Sequence, residues 1–409
     1  MVLLNQVLVL LLVSVIVFII DINKKFFPVP VVLVLVGMAL SSLSLFSDFS
    51  VSHDVLYDIF IPGLIFVSAY QLSAQALKKN AGIILTFSTL GMLATVLLLG
   101  TGVYWVSSFF EPLSWSVSFL LAAILVPTDP VSVVSILKGS GGSEEVSDIV
   151  EGESLVNDGT SIVIFTILLS MVQSGNSFSA LNFLESFTYV SLGGIGIGLV
   201  FGWILSQAIH ITSHHEYQVI LSILIAYGGF TLAEMVNASG VLATVVSGIL
   251  LSFAFSKHDE KEDEFRDSLG GFWNVVEPTL SSILFLFIGI QSVHYIHFQK
   301  PIIWITATIF FVLSILARFL VLGSTLLVVP SWRRKFEHLN SGLFLLSWAG
   351  IKGTMSVVLI LWAESTLTID NSVFLISVAF ITTLFSFIFQ SAGVYPLSRF
   401  LKKVDHSET

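Results

Sequence analysis

Long apolar runs follow one another along this chain from Val2 to Leu401, parted only by short polar stretches. About 20 apolar residues make a bilayer-spanning helix. Inside a bilayer every backbone N–H and C=O must be satisfied within the protein, which leaves helices and closed barrels as the spanning structures. A barrel reads as alternating segments of ~10 residues; these runs are longer and do not alternate. Charged residues make up 11% of the chain, against about 25% in soluble proteins, too few to cover a water-exposed surface. With 55% hydrophobic residues and a mean hydropathy of +0.96, disorder is excluded as well. The expected fold class is an all-α polytopic membrane protein. A net charge of −10 argues against a nucleic-acid partner. The absence of cysteine excludes disulfides, thiolate metal sites and cysteine catalysis, and no sequence motif calls for a cofactor.

Thirteen spans are expected, at roughly 2–20, 29–46, 55–74, 82–107, 113–137, 147–172, 183–209, 217–236, 238–256, 272–293, 301–329, 340–363 and 371–398. The first has neither a basic start nor an A-x-A cleavage site and is read as mature structure rather than a signal peptide. Fourteen of the 17 Lys and Arg residues fall in one set of alternate loops and the tail, among them Lys24, Lys78, Lys79, Lys138, Lys257, Arg266, Arg333 and Lys402. The opposite loops hold only Lys300. By the positive-inside rule the C-terminus is cytoplasmic and the N-terminus outside. One transmembrane domain, 1–403, and a short cytoplasmic tail, 404–409, account for the whole chain.

The fifth span is interrupted by Pro127 and Pro130, the twelfth at Gly350-Ile351-Lys352-Gly353. Paired interrupted helices in corresponding places point to an inverted-repeat transporter whose site lies at the breaks, where the two helices cross. Within spans, charges cost ~2.5–3.5 kcal/mol each on insertion scales. They are Asp129, Glu153, Asp158, Glu234, Arg318 and Lys352, with Asp58, Glu151 and Glu277 closer to span ends. In Val126-Pro127-Thr128-Asp129-Pro130 each proline removes a backbone donor; Thr128 and Asp129 either cap the resulting kink or bind a cation. In Glu153-Ser154-Leu155-Val156-Asn157-Asp158, a helix puts Ser154 and Asp158 on one face and the pair Glu153 and Asn157 about 100° away. Asp158 can then face an aqueous cavity while Glu153 points into the bundle. Carboxylate, hydroxyl and amide oxygens together suit a hard cation. Glu234 reads as a packing or interface residue. His210, His214 and His215 read as a solvated loop or as groups titrating near neutrality. Gly193, Gly194, Gly196, Gly198 and Gly202 permit close helix approach.

Thr128-Asp129-Pro130, followed by Glu153-Ser154-Leu155-Val156-Asn157-Asp158, resembles the signature of the monovalent cation/proton antiporter family 1, the sodium/proton exchangers. Leu232-Ala233-Glu234, Ser239 to Ala243, Ala317-Arg318 and Trp348 to Gly353 resemble further parts of that family, so the likeness covers nearly the whole chain. Two departures stand out. Lys352 replaces the family's usual arginine, and the third span lacks the acidic residue many relatives carry between Gly63 and Leu72. The resemblance implies that Asp158 binds the cation (Na+) or a proton, that Thr128 and Ser154 lend oxygens with Asp129 close by, and that Asn157 orients the neighbourhood. It implies a structural ion pair between Glu153 and Arg318. A membrane-buried arginine needs a partner on physical grounds too, and Glu153 is the nearest unclaimed acid. Lys352 would offset the dipole ends of the broken helices.

The function expected is secondary antiport by alternating access, not enzymatic catalysis: a monovalent cation, Na+ first and Li+ or K+ as alternatives, exchanged for H+ one for one. The resemblance also implies a homodimer in the plasma membrane that serves pH homeostasis. Spans 4–6 and 11–13 would move against a scaffold of spans 1–3 and 7–10. The alternatives are a cation channel, which wants rings of carbonyls or charges around one pore, and an intramembrane aspartyl protease using Asp129 and Asp158.

Overall fold

The computed structural model describes residues 2–24, 29–46, 53–129, 144–174, 179–211, 214–254, 260–295, 300–333, 339–367 and 372–408. Among these residues the chain is helical with no strand. In chain order the main helices are α1 (Val2–Lys24), α2 (Val29–Leu40), α3 (53–71), α4 (Ala74–Ser107), α5 (Trp115–Leu125), α6 (Glu144–Ser174) and α7 (Ala180–Ile211). They continue with α8 (His215–Met235), α9 (Gly240–Ala254), α10 (Glu260–Tyr295), α11 (Pro301–Val328), α12 (Leu339–Trp348), α13 (Thr354–Thr366) and α14 (372–408). Seven of the described helices are long and apolar enough to cross a membrane, and six shorter apolar helices accompany them. The protein is an integral membrane protein.

Local sequence explains where several helices begin. Ser73 and Ser114 are N-caps whose side chains accept the N–H of Ala76 and Val117, each at 3.3 Å, supplying an acceptor the first turn lacks. Pro301 opens α11, where a missing N–H costs nothing. Pro278 lies inside α10 without ending it. α5 stops at Leu125, two residues before Pro127. The second half of the expected fifth span, 130–137 with Pro130, lies outside the described residues. α12 and α13 are separated by the extended stretch 349–353, as the Gly-Ile-Lys-Gly interruption predicts.

The packing follows two neighbourhoods. α2 lies along α10 and α1 against the same helix; α9 sits between α3 and α7, with α8 on its flank. On the α7–α9 contact, a side chain at Gly198 would meet the Ala243 carbonyl at 2.6 Å and one at Gly202 the Ser247 backbone at 2.8 Å, so the glycine series does bring two backbones together. In the second neighbourhood α4, α5 and α6 pack on one another, α11 packs on α4, α12 and α14, and α13 on α5, α6 and α14. The two meet where α6 touches α3, α7 and α9, and where α10 touches α13 and α14.

Candidate functional site at two broken helices

The two interruptions meet. The Asp129 N–H donates to the Ile351 carbonyl at 2.7 Å, joining the non-helical stretch after α5 to the α12–α13 break. Backbone groups freed by the breaks find partners in side chains, as burial away from water requires. The Ser154 hydroxyl donates to the Thr128 carbonyl. Asp129 Oδ2 accepts from the Thr354 N–H at 3.4 Å and from its hydroxyl at 3.5 Å, so this carboxylate caps the N-terminus of α13. Gly353 leaves room for it: a Cβ there would overlap the Asp129 carboxylate.

The other side of the break is seated on a π-turn of α14, Ser386–Gln390. Ser386 accepts the Lys352 N–H at 2.8 Å and donates to the Gln390 side chain. Gln390 Nε2 donates to the Trp348 carbonyl at 2.8 Å, and Trp348 Nε1 donates back to the Gln390 carbonyl at 3.1 Å. Sequence reading did not single out Ser386 or Gln390. Ser386 and Gln390 are fully buried polar residues four apart, but Ser377, Thr382, Thr383 and Ser391 of the same helix are buried as well, so only Gln390, the one amide of α14, gives a signal.

Arg318 of α11 reaches the same place. Its two terminal nitrogens donate to the two oxygens of Glu153, at 2.9 and 2.5 Å, and Nε donates to the Leu346 carbonyl at 3.3 Å. A bidentate charge-assisted pair is the arrangement a buried guanidinium favours, and both residues are buried, 9% and 2% exposed. Gly350 lies against this guanidinium, since a Cβ would come within 2.6 Å of Nε. Lys352 is 4% exposed, and among the described residues its ammonium has no ion-pair partner.

Asp158 stands apart from this pairing. It lines a cavity of about 280 Å³ together with Asp129, Glu151 and Leu155, the α3 residues Ile61, Leu64, Ile65, Ser68 and Gln71, and parts of α10 and α13. Its Oδ1 is buried and, among the described residues, makes no hydrogen bond. Asn157 donates to Thr128 Oγ1 at 3.3 Å while its own Oδ1 is likewise buried and, among the described residues, unpartnered. Ser154, about 40° around α6 from Asp158, and Thr128 lie behind the cavity wall, and the α6 stripe facing the cavity is Glu151–Leu155–Asp158. The structure thus brings Thr128, Asp129, Ser154, Asn157 and Asp158 into one neighbourhood but puts only the two aspartates on the cavity.

The lining faces of three helices converge beyond Asp158. Further along each lies an aromatic ring: Tyr57 one turn from Ile61 on α3, Phe165 about two turns from Asp158 on α6, and Trp362 one turn from Val358 on α13. Tyr57 and Trp362 are 5.0 Å apart between centroids, Phe165 and Trp362 5.5 Å, and Tyr57 and Phe230 5.2 Å. Tyr57 is anchored by its hydroxyl, which donates to Glu234 Oε1 at 3.0 Å; Glu234 also accepts the Gly240 N–H at 2.7 Å. Glu234 is therefore a packing residue joining α3, α8 and α9. Asp58 is exposed, and His214 packs edge-on against Tyr217, away from the cavity. Among the described residues no three His, Asp or Glu side chains gather in a way that would hold a metal ion.

Comparisons with known proteins agree with one another. The family described as sodium/hydrogen exchanger, transmembrane, matches residues 8–400. The Na(+)/H(+) antiporter NhaP of Pseudomonas aeruginosa is 28% identical over 360 residues, 86% of this chain and 81% of that protein. The Na(+)/H(+) antiporter NhaG of Bacillus atrophaeus is 29% identical over 386 residues, 90% of this chain and 70% of that one. The structure of the sodium proton antiporter MjNhaP1 from Methanocaldococcus jannaschii at pH 8 superposes with a TM-score of 0.76 at 19% identity, over 97% of this chain and 98% of that one, and shares its fold. These are transporters and not enzymes, and the match runs from the first helix to the last: the chain belongs to the sodium/hydrogen exchanger family.

Proposed function

We propose that this protein exchanges Na+ for H+ across a membrane by alternating access, one ion for one proton, with Asp158 as the carboxylate both ions share. The observation that carries the reading is the buried, unpartnered Oδ1 of Asp158 at a cavity wall, next to a Glu153 already neutralised by Arg318. A lone carboxylate in such a place binds a cation or a proton, never both, and that competition couples the two fluxes. Asn157 carries no charge, so one acid changes its load per cycle, which favours an electroneutral exchange. Asp129 shares the cavity wall with Asp158, and Thr128, Ser154 and Asn157, behind that wall, would lend their oxygens as the site closes on the cation.

Alternation is supported by the two ends of the pathway. The cavity reaches from Asp158 toward the end of the bundle that carries Gln71, Glu151 and the Lys79–Glu145 pair, 3.4 Å apart. The other end is filled by Tyr57, Phe165 and Trp362. We assign the cavity to the cytoplasmic side, after the Lys and Arg bias, with the N-terminus outside, thirteen crossings and the plasma membrane as its place. α4–α6 and α11–α14 form the moving part; α1–α3 and α7–α10 form the scaffold, through which two copies pair. The exposed apolar face of α7, with Leu184, Leu192, Val200 and Trp203, supports that pairing surface.

The test is Asp158→Asn in sealed vesicles, reading Na+-dependent proton movement. Exchange is abolished with Na+, Li+ and K+ alike while the protein still inserts. Retained exchange in a well-folded variant refutes the assignment, and cation flux without counter-ion favours a channel.

A further inference from the structure

We propose a second monovalent-cation site on the scaffold wall of the cavity, formed by Glu277 and Ser281 of α10 with Ser68 and Gln71 of α3, which holds the cation before it passes to Asp158. The proposal deepens the exchange reading and rests on it.

Glu277 lies inside the apolar stretch Leu269–Val293 of α10, where a carboxylate is retained only for a purpose. Apart from Asp158, several acids of these helices have found theirs in the protein. Glu153 holds Arg318, Glu234 holds Tyr57 and the Gly240 N–H, Asp129 caps α13, and Glu364 accepts from Tyr295. Glu277 is half-buried and, among the described residues, makes no hydrogen bond and no ion pair. It faces the same cavity as Asp158.

The neighbours supply what a hard monovalent cation needs. Ser281 follows Glu277 by one helical turn and so shares its face. Ser68 and Gln71 are three apart on α3, a helix in contact with α10, and both line the cavity. Ser68 donates its proton to the Leu64 carbonyl at 3.1 Å, which leaves its oxygen lone pairs for a ligand. One carboxylate with two hydroxyls and an amide oxygen is a donor set of low charge, matched to a monovalent ion rather than to Ca2+ or Mg2+.

The placement gives the site a side. Glu277 and Gln71 belong to helices packed with α1, α2 and α9, whereas Asp158 rides on α6. A cation held at Glu277 is therefore available to Asp158 only while the transport carboxylate faces this cavity. A fixed negative charge in a confined cleft raises local cation concentration on the order of tenfold or more.

Two measurements on the purified full-length protein decide it. In equilibrium binding of ²²Na+, the Asp158→Asn variant still binds Na+, and adding Glu277→Gln removes that binding. In oriented proteoliposomes, Glu277→Gln raises the KM for Na+ about tenfold from the cavity face, with kcat and the KM from the opposite face held; Glu277→Asp restores part of the affinity. Ser281→Ala and Gln71→Ala shift the same constant by less and serve if Glu277→Gln is not monodisperse. An Asp158→Asn protein that binds no Na+, or a KM that is unchanged or changes equally from both faces, overturns the site. A wild-type protein that performs no Na+/H+ exchange overturns the exchange reading instead, and the binding measurement still decides the site.

Discussion

Removing one member of the Glu153–Arg318 pair should be far worse than removing both. The guanidinium makes two charge-assisted bonds to the carboxylate, at 2.9 and 2.5 Å, between residues 2% and 9% exposed. Glu153→Gln leaves the Arg318 charge buried with neutral acceptors alone, the Leu346 carbonyl among them; Arg318→Gln leaves a carboxylate in the bundle interior. By precedent each costs ~3–5 kcal/mol, a factor of roughly 10² to several 10³ in the folding equilibrium. The double variant strands no charge, and its two amides can still bond each other, so its cost should be ~1–2 kcal/mol, because neutral replacements of buried pairs are often nearly isoenergetic. The interaction energy in the cycle is then several kcal/mol. Arg318→Gln carries a second consequence, since Gly350 rests on the guanidinium, and removing it loosens the α12–α13 break. The assay is reversible unfolding in mixed micelles for the wild type, both singles and the double. Single costs that add within ~0.5 kcal/mol in the double would show that the two charges do not depend on each other, and the reasoning for a neutralised Glu153 beside a free Asp158 would fall with them.

Other outcomes follow from the same geometry. Gly353→Ala should push Asp129 off the first turn of α13, at a cost of ~1–3 kcal/mol from overpacking, and lower exchange more than stability; wild-type exchange would show that Asp129 can cap α13 from elsewhere. Exchange in sealed vesicles should keep its rate and end-point when the membrane potential is clamped at zero or inverted, and an end-point that follows voltage would point to Asp129 or Lys352 as a further proton carrier. Trp362→Ala should expose the pathway beyond Asp158. A cysteine at Leu155, in a chain with none of its own, should then react severalfold faster with an impermeant thiol reagent added from the face opposite the cavity, and an unchanged rate would place the barrier elsewhere.

Hydropathy located the helices because a bilayer imposes length and satisfied backbone on every crossing. The interruptions at Pro127 and Gly350–Gly353 were legible for the same reason: each breaks a rule that an apolar run otherwise keeps. Glu153 and Arg318 could be paired on paper because interior charges are few. Partner choice among abundant residue types was not legible. Nothing local says that the Ser154 hydroxyl turns to the Thr128 carbonyl rather than to the cavity, that Asp129 caps a helix 225 residues away, or that Ser386 and Gln390 seat the second break. The three rings beyond Asp158 are hidden among 35 phenylalanines, eight tryptophans and eight tyrosines, and only the meeting of three helix faces picks them out.

The anchoring of Tyr57 through Glu234 to the Gly240 N–H has a thermodynamic consequence for the cycle proposed above. Tyr57 is tied to α8 and α9, while Phe165 and Trp362 belong to α6 and α13, so reorienting the carrier must part the Tyr57–Trp362 contact. An aromatic pair contributes ~0.5–1.5 kcal/mol beyond its buried area, and that energy is present in one orientation and absent in the other. The empty carrier is thereby biased several-fold toward the cavity-facing state before any ion binds. Such a bias lowers apparent affinity on the far face by the same factor and makes reopening toward that face a slow step. Trimming one ring would reset the apparent affinities measured from the two faces in opposite directions without touching the atoms that hold the ion.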